Sequence, residues 1–154
     1  MKIRKATLKD YEQVKKLRTE FYLLEESTDE RVKLNWVKSG MPIVIGKSLR
    51  NKNQIHYVAE KNKQLVGYAA SEITKNPGWA TYKKQGHLYN LYITPEYQKE
   101  GIGTKLLEKS LEWFKGKNIQ DLKIMAYVEN TRAKKLYNKY GFKDYVLTLK
   151  RINK

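Results

Sequence analysis

Leu91-Tyr92-Ile93-Thr94-Pro95-Glu96-Tyr97-Gln98-Lys99-Glu100-Gly101-Ile102-Gly103-Thr104 is the stretch that decides the fold. Its apolar first part ends a strand expected over His87 to Thr94, which Pro95 stops. Its second part opens a helix over Gly101 to Lys115. Ile102, Leu106, Leu107, Leu111 and Phe114 share one side of that helix, and Gly116 sits at its C-terminal end. Gly101 and Gly103 remove side chains where a ligand must approach the backbone closely. The first helical turn adds unbonded N–H groups at the positive end of the helix dipole. Together these features make a phosphate cradle. The third glycine and acidic residue of a dinucleotide fingerprint are missing, as is the Gly-Lys-Ser/Thr of a P-loop, so neither NAD nor a Walker-type nucleotide is favoured.

Working outward, Lys2 to Thr7 reads as a first strand, and Leu8, Tyr11, Val14, Leu17, Phe21 and Leu24 recur at helical spacing. A second helix carries Val32, Leu34, Trp36 and Val37, with Ser27 or Thr28 as its cap, and breaks at Gly40-Met41-Pro42. Ile43 to Leu49 reads as a further short helix. Gln54 to Glu60 and Gln64 to Thr74 are strands joined by a turn at Lys61-Asn62-Lys63. A loop from Asn76-Pro77-Gly78 runs to Gly86. Downstream come a strand over Asp121 to Val128, a helix over Asn130 to Tyr140 ended by Gly141, and a last strand over Phe142 to Lys150. The order β-α-α-β-β-β-α-β-α-β predicts an α/β (α+β) fold: a mixed sheet with helices on both faces, in a single domain over 1–154.

The 154 residues include 32 Lys+Arg against 16 Asp+Glu, a formal charge of +16. The two halves, 1–77 and 78–154, carry +7 and +9, so the basicity is spread over the surface rather than gathered in a tail. That distribution fits a solvated Lys-rich surface that attracts anions, and no nucleic-acid-binding motif accompanies it, so a nucleic-acid partner is not expected. The absence of cysteine excludes disulfides, thiolate metal sites and a Cys nucleophile, and two histidines leave little for a metal. No apolar run is long enough to span a bilayer and no signal-peptide pattern opens the chain, which reads as cytoplasmic with no membrane partner. Against the basic trend, residues 19–30 hold Glu20, Glu25, Glu26, Asp29 and Glu30 and no Lys or Arg, which suggests either helix-end acids or a rim that recruits a cationic amine.

A second motif follows at Asn130-Thr131-Arg132-Ala133-Lys134-Lys135-Leu136-Tyr137-Asn138-Lys139-Tyr140-Gly141-Phe142, where Ala133, Leu136, Tyr137 and Tyr140 share one helix face. With Gln98-x-x-Gly101-x-Gly103 upstream of it in the right order, the sequence resembles the GCN5-related N-acetyltransferase (GNAT) superfamily. The resemblance implies acetyl-CoA as cosubstrate and a sheet that splays between the strands at 87–94 and 121–128. It implies pantetheine pairing with the backbone of Leu91, Tyr92 and Ile93, and pyrophosphate on the amides of Gln98, Lys99, Glu100, Gly101, Ile102, Gly103 and Thr104. Asn130 would hold the pantetheine arm, and Tyr137 would act as general acid toward the leaving sulfur. A tyrosine of pKa about 10 is a neutral donor at pH 7, suited to a thiolate whose conjugate acid lies near 8.5. The N–H of Leu91 or Tyr92 is a candidate oxyanion donor.

The general base is less determined. His87, Tyr89, Leu91 and Ile93 are expected on one face of the strand. Lysine-acetylating branches of the family carry Glu at the position of His87, polyamine-acetylating branches at Tyr89, and some peptide acetyltransferases at Met125; this chain departs at all three. His87 is the first candidate base and Glu72 the alternative, while His56 carries little weight. Glu25 and Glu26 on one side, with Trp79 and Tyr82 on the other, are candidate walls of the acceptor pocket. Acceptors left open are a polyamine, an aminoglycoside, a peptide α-amine or a protein lysine. A CoA-binding relative without transfer activity is the competing reading. Many members of the family pair as homodimers, and the Phe142–Lys150 strand is a candidate edge for that.

Overall fold

The computed structural model describes residues 1–26 and 33–151. The expected cap at Ser27 or Thr28, the acids Asp29 and Glu30, and Val32 fall outside them. Strand β1 (Lys2–Lys5) leads through a 3-10 turn at Leu8–Asp10 into α1 (Tyr11–Glu26) and α2 (Leu34–Ser48). Then come β2 (Gln54–Lys61), β3 (Gln64–Lys75) and β4 (Lys84–Ile93), a 3-10 turn at Pro95–Tyr97, α3 (Ile102–Gly116), β5 (Asp121–Ile124) and α4 (Thr131–Lys139). The five strands lie in one mixed sheet in the order β1-β2-β3-β4-β5. The chain packs as two compact units, 1–123 and 124–154.

The β1–β4 meander is antiparallel throughout. Its tightest turn is Asn62-Lys63, with φ of 51° and 63°. Two consecutive left-handed residues make the turn that matches strand twist. At the other end of the sheet, Arg4 fixes β1. Its two Nη atoms donate to both oxygens of Asp10 at 2.8 and 2.9 Å, and its Nε donates to Glu60. Thr7 N–H also donates to Asp10, at 2.7 Å. These donors hold the buried Asp10 carboxyl well below the usual carboxylate range, with the Arg4 hydrogen bond the largest cause.

One sheet face packs on α1 and α2, where Val14, Leu17, Val37, Met41 and Ile45 meet Val58, Tyr68, Ala70 and Tyr92. This face corrects the expected break at Gly40-Met41-Pro42: α2 runs unbroken from Leu34 to Ser48 with Pro42 inside it. Val37, Met41 and Ile45 recur every four residues and are buried almost completely, so their burial outweighs the hydrogen bond that Pro42 cannot make. The Tyr11 hydroxyl donates to Pro42 O at 3.2 Å and ties α1 to the same turn.

Other expectations shift. The loop expected to reach Gly86 ends earlier, because β4 starts at Lys84 in register with Lys75. The strand expected over 121–128 stops at Ile124, and Phe142 to Lys150 forms no strand. Met125 and Val128 are exposed, as are Tyr145, Val146, Leu147 and Leu149, whose apolar alternation is what reads as strand in the sequence.

Gly86 shows how closely β4 sits against α3: an added Cβ would lie 2.6 Å from the Phe114 ring and 2.7 Å from Leu122. Gly86→Ala is therefore expected to cost about 1–3 kcal/mol in urea unfolding. Gly116→Ala, with nothing within 4 Å, should be neutral or stabilise by up to about 1 kcal/mol. Coincident midpoints for the two variants would contradict this packing.

Candidate active site

β4 is paired residue by residue with β3, with one interruption. Ala70 faces Asn90 but Ser71 faces Leu88, so Tyr89 is an extra residue, a β-bulge. The bulge changes which side chains point together. Tyr92 belongs to the α1/α2 core and Tyr89 packs against it. Leu91 pairs with Ala69, which lies between the two core-facing residues Tyr68 and Ala70, and Ile93 touches Gly67 and Gly103. His87 and Tyr89 therefore face α1, while Leu91 and Ile93 face α3. The single face expected for all four is corrected by that one inserted residue.

On the α3 side, the turn after β4 ends at Lys99 and Gly101, both left-handed, with φ of 69° and 75°. Gly101 then caps α3. Left-handed residues alternating along a turn draw successive N–H groups into a concavity that suits an anion, and a non-glycine residue held at positive φ is strain that clusters at ligand sites. Glu100, Ile102, Gly103 and Thr104 complete this rim. The Gly103 position is tight: an added Cβ would lie 3.2 Å from Ile93. Gln98 differs from the expectation, because its amide already donates to Pro95 O at 3.2 Å and its side chain to Ile93 O at 3.2 Å. It braces the turn from within. β5 accompanies only the start of β4: Asp121 accepts from Gln85 at 3.0 Å and Leu122 lies under Gly86. A four-residue strand cannot follow a ten-residue one to its end. Among the described strands, none borders Leu91–Ile93 on that side.

On the α1 side, the two candidate bases form one pair. His87 and Glu72 are register partners, with Nδ1 3.5 Å from Oε1. Glu72 also accepts from Gln54 at 3.2 Å. An Nδ1–H directed at Glu72 leaves Nε2 as the basic nitrogen, and Nε2 has no partner among the described residues. Burial, followed by the charge of Lys123, lowers the His87 pKa against the pull of Glu72, so the ring is neutral at pH 7. The His87 ring lies 5.9 Å from Tyr89.

On this face of the sheet, Arg18 and Tyr22 escaped the sequence reading, and His56 carried little weight in it. His56, 2% exposed, stacks on Tyr68 and meets Tyr89 edge-on, with centroids 6.5 Å apart in both cases. Burial, reinforced by Arg18, holds its pKa down at about 4. Arg18 and Tyr22 come from α1. The pairing of β2 with β3 could have pointed to His56, which sits opposite Ala70; nothing in the sequence distinguishes Arg18 from any other helix cation.

The expected pocket walls fare differently. Trp79 and Tyr82 lie in the loop after β3, 86% and 47% exposed. That loop is tied down by Asn76, which donates to Tyr82 O at 3.0 Å and to Asp121 at 2.8 Å. Its root is three residue pairs, about 10 Å, from Glu72 and His87. Glu25 and Glu26 end the backbone of α1, and their side chains lie outside the described residues. In the second unit, Asn130 caps α4 by accepting from Ala133 N–H at 3.1 Å. Tyr137 lies one helix face along, 6.3 Å from Phe142, and burial raises its pKa to about 12.

Residues 11–142 match the acetyltransferase (GNAT) family. The chain belongs to that family. It is similar to an uncharacterized N-acetyltransferase of Archaeoglobus fulgidus, 34% identical over 83 residues, covering 52% of this chain and 54% of the relative. It is also similar to an N-alpha-acetyltransferase of Sulfurisphaera tokodaii, 31% identical over 101 residues, covering 62% and 60%. The chain spans only about half to three fifths of the length of these curated relatives. A structure of a predicted acetyltransferase of Clostridium acetobutylicum with acetyl-CoA shares the fold, with a TM-score of 0.80 at 25% identity, over 98% of this chain and 95% of that one. The GNAT fold accounts for the mixed sheet and the helix order. No helix among the described residues is long and apolar enough to cross a membrane.

The buried His56 gives this GNAT chain a stability signature. Its folded pKa, about 4, lies below its ordinary 6.5. The unfolded chain therefore binds more protons between those values, and stability falls as pH drops from about 6.5 to 4 by roughly 3 kcal/mol from this group. Urea midpoints across that range should fall less steeply for His56→Gln than for the parent; parallel profiles would refute the assignment.

Proposed function

We propose that this chain is an acetyl-CoA-dependent N-acetyltransferase that acetylates a primary amine by direct attack within a ternary complex. The observation that carries the reading is the pairing of a left-handed anion nest at Lys99–Gly101 with a strand end at Leu91–Ile93 that no described strand borders on the β5 side. A long, flexible cosubstrate with a pyrophosphate at one end and an amide-bearing arm at the other suits both features. Lys99, Glu100, Gly101, Ile102, Gly103 and Thr104 would offer backbone N–H groups to the pyrophosphate. The backbone of Leu91, Tyr92 and Ile93 would pair with the arm, and Asn130 would add its side-chain amide. Acetyl-CoA supplies a thioester-activated acyl group.

The chain's own groups move the protons. His87 Nε2 accepts the proton the amine must lose, and Glu72 orients the ring through Nδ1 and steadies the imidazolium that forms. The 3.5 Å separation is long for a hydrogen bond, as catalytic pairs often are before substrate binds. An α-amine with a pKa near 8 costs about 1 kcal/mol to deprotonate at pH 7 and a lysine-type amine about 4.6, so a neutral imidazole suits the first more than the second. Tyr137 holds its phenolic proton at pH 7, because burial raises its pKa to about 12, and so stands as a neutral hydrogen-bond donor to a leaving thiolate, whose proton it supplies as the amine's proton passes to His87.

Three measurements test the proposal. Acetyl-CoA at 100 times its dissociation constant should add about 2.7 kcal/mol of stability, roughly 5–10 °C in Tm, while ATP at the same concentration and moderate salt should add little. Equal shifts that fade together as salt rises would mean generic attraction to a basic surface. Tyr137→Phe should lower kcat by about a hundredfold and leave the acetyl-CoA shift intact. The parent kcat/KM should show an acid limb below pH 6.5, since the His87 pKa is lowered from that value, and His87→Gln should remove both the limb and most of the activity.

A further inference from the structure

Among the described residues, Arg18 is a buried cation without a counter-charge. It lies on α1, beside Tyr68, Tyr89 and His56 of the facing sheet, and is 2% exposed. One guanidinium nitrogen, Nη2, reaches the Tyr22 hydroxyl at 3.3 Å, and Cζ lies 5.7 Å from the Tyr22 ring. Nε and Nη1 have no partner among the described residues. The same chain shows what a structurally satisfied arginine looks like: Arg4 spends both Nη atoms on Asp10 and its Nε on Glu60. No carboxylate among the described residues plays that part for Arg18. Glu20 accepts from the Tyr92 hydroxyl at 3.3 Å, and Glu72 is engaged by His87 and Gln54. A contact with one aromatic ring recovers only part of what a guanidinium loses on leaving water.

The surroundings are built for a polar guest. Tyr89 interacts electrostatically with both Arg18 and Glu72, and its ring meets that of His56 on one side and lies 5.9 Å from that of His87 on the other. Among the described residues, Asn90, 5% exposed and next to the bulge residue, has no partner for Oδ1, and neither ring nitrogen of His56 has one.

We propose that Arg18 receives a carboxylate of the acceptor, so that the acceptor is an amino-carboxylate: its amine is presented to His87 and its carboxylate to Arg18 across Tyr89. The proposal rests on the acetyl-transfer reading above and narrows its substrate class. Tyr22 covers the guanidinium, and carboxylate entry exchanges that one phenol contact for a two-pronged ion pair. Both two-pronged edges of the guanidinium include Nη2, so once Tyr22 yields that atom either edge matches a carboxylate; neither suits a second cation, so a simple polyamine is disfavoured at this end.

The test uses two matched acceptor pairs with acetyl-CoA and the full chain, following CoA release: L-lysine against cadaverine, which differ only by the carboxylate, and the peptide amides Glu-Ala-Ala against Gln-Ala-Ala. The expected result is a kcat/KM at least tenfold higher for the carboxylate-bearing member of one pair, and which pair responds identifies a free amino acid or an acidic peptide terminus. Arg18→Met should bring that ratio within twofold of unity while keeping the Tm at or above the parent's, since it removes a buried unpaired charge. Arg18→Lys should restore part of the preference. Equal rates within both pairs, a preference that survives Arg18→Met, or a lower Tm with the preference intact would overturn the proposal and assign Arg18 to the fold. If no acceptor is acetylated, the transfer reading fails separately. The Arg18 site is then read from Tm with L-lysine or cadaverine in the presence of CoA: a lysine-specific rise lost in Arg18→Met supports it, and no rise overturns it.

Discussion

The extra residue at Tyr89 is the constraint on which the rest of the site depends. Side chains alternate across a strand, so a regular β4 would send every second residue of 87–93 to the same layer. The slip between Ala70 and Ser71 breaks that rule once. Above it, Leu91 and Ile93 lie against α3, whose first turn carries the Lys99–Gly101 nest. Below it, His87 and Tyr89 lie against α1 and the buried polar groups. One inserted residue thus places the strand end proposed to pair with the cosubstrate and the proposed base on opposite layers of the sheet. A bulge also bends its strand away from its neighbour, which fits a β5 only four residues long.

The two layers are stabilised differently. The α1/α2 core near Val14, Met41, Ile45 and Val58 is apolar and fully buried. Beside it, Arg18, His56, Asn90 and His87 keep buried polar atoms without partners. Such atoms each cost stability where they are not satisfied, and native proteins hold few of them. That these four lie on the layer that holds the candidate base fits a surface complemented by a ligand better than it fits an apolar core. Glycine follows the same division: Gly86 is excluded from carrying a Cβ by Phe114 and Leu122, whereas Gly101 faces open space and is needed for its left-handed φ.

Much of this was legible in the sequence. The strand–turn–helix at 91–104, the helix that starts at Asn130, the face shared by Leu136 and Tyr137, and ten of the eleven expected strands and helices in order, two of the helices fused into one, follow from periodicity and from residues with fixed backbone preferences. What was not legible has physical reasons. A bulge adds one residue without changing composition, so the alternation of 87–93 reads the same with or without it. Pro42 reads as a break until the burial of Met41 and Ile45 is known, because the energy that overrides it is tertiary. Alternation in Phe142–Lys150 is necessary for a strand but not sufficient without a partner. Arg18 is one of 32 basic residues, and only its burial distinguishes it.

The overall charge and the local chamber then play different parts. A net charge of +16, spread over both halves of the chain, raises the local concentration of any polyanion and fades with salt. It cannot choose between anions and says nothing about an amine. Selection falls to groups that water does not screen. Those are the backbone N–H groups of the nest, which fix where a pyrophosphate would lie, and the buried guanidinium of Arg18, whose demand for a partner the described residues leave unmet. A neutral His87 beside a fixed cation is also self-consistent. Nearby positive charge disfavours protonation of an imidazole, as Arg18 does at His56 and Lys123 does at His87. The cation proposed for an anionic end and the cation that helps burial to keep His87 unprotonated are therefore different groups, Arg18 and Lys123.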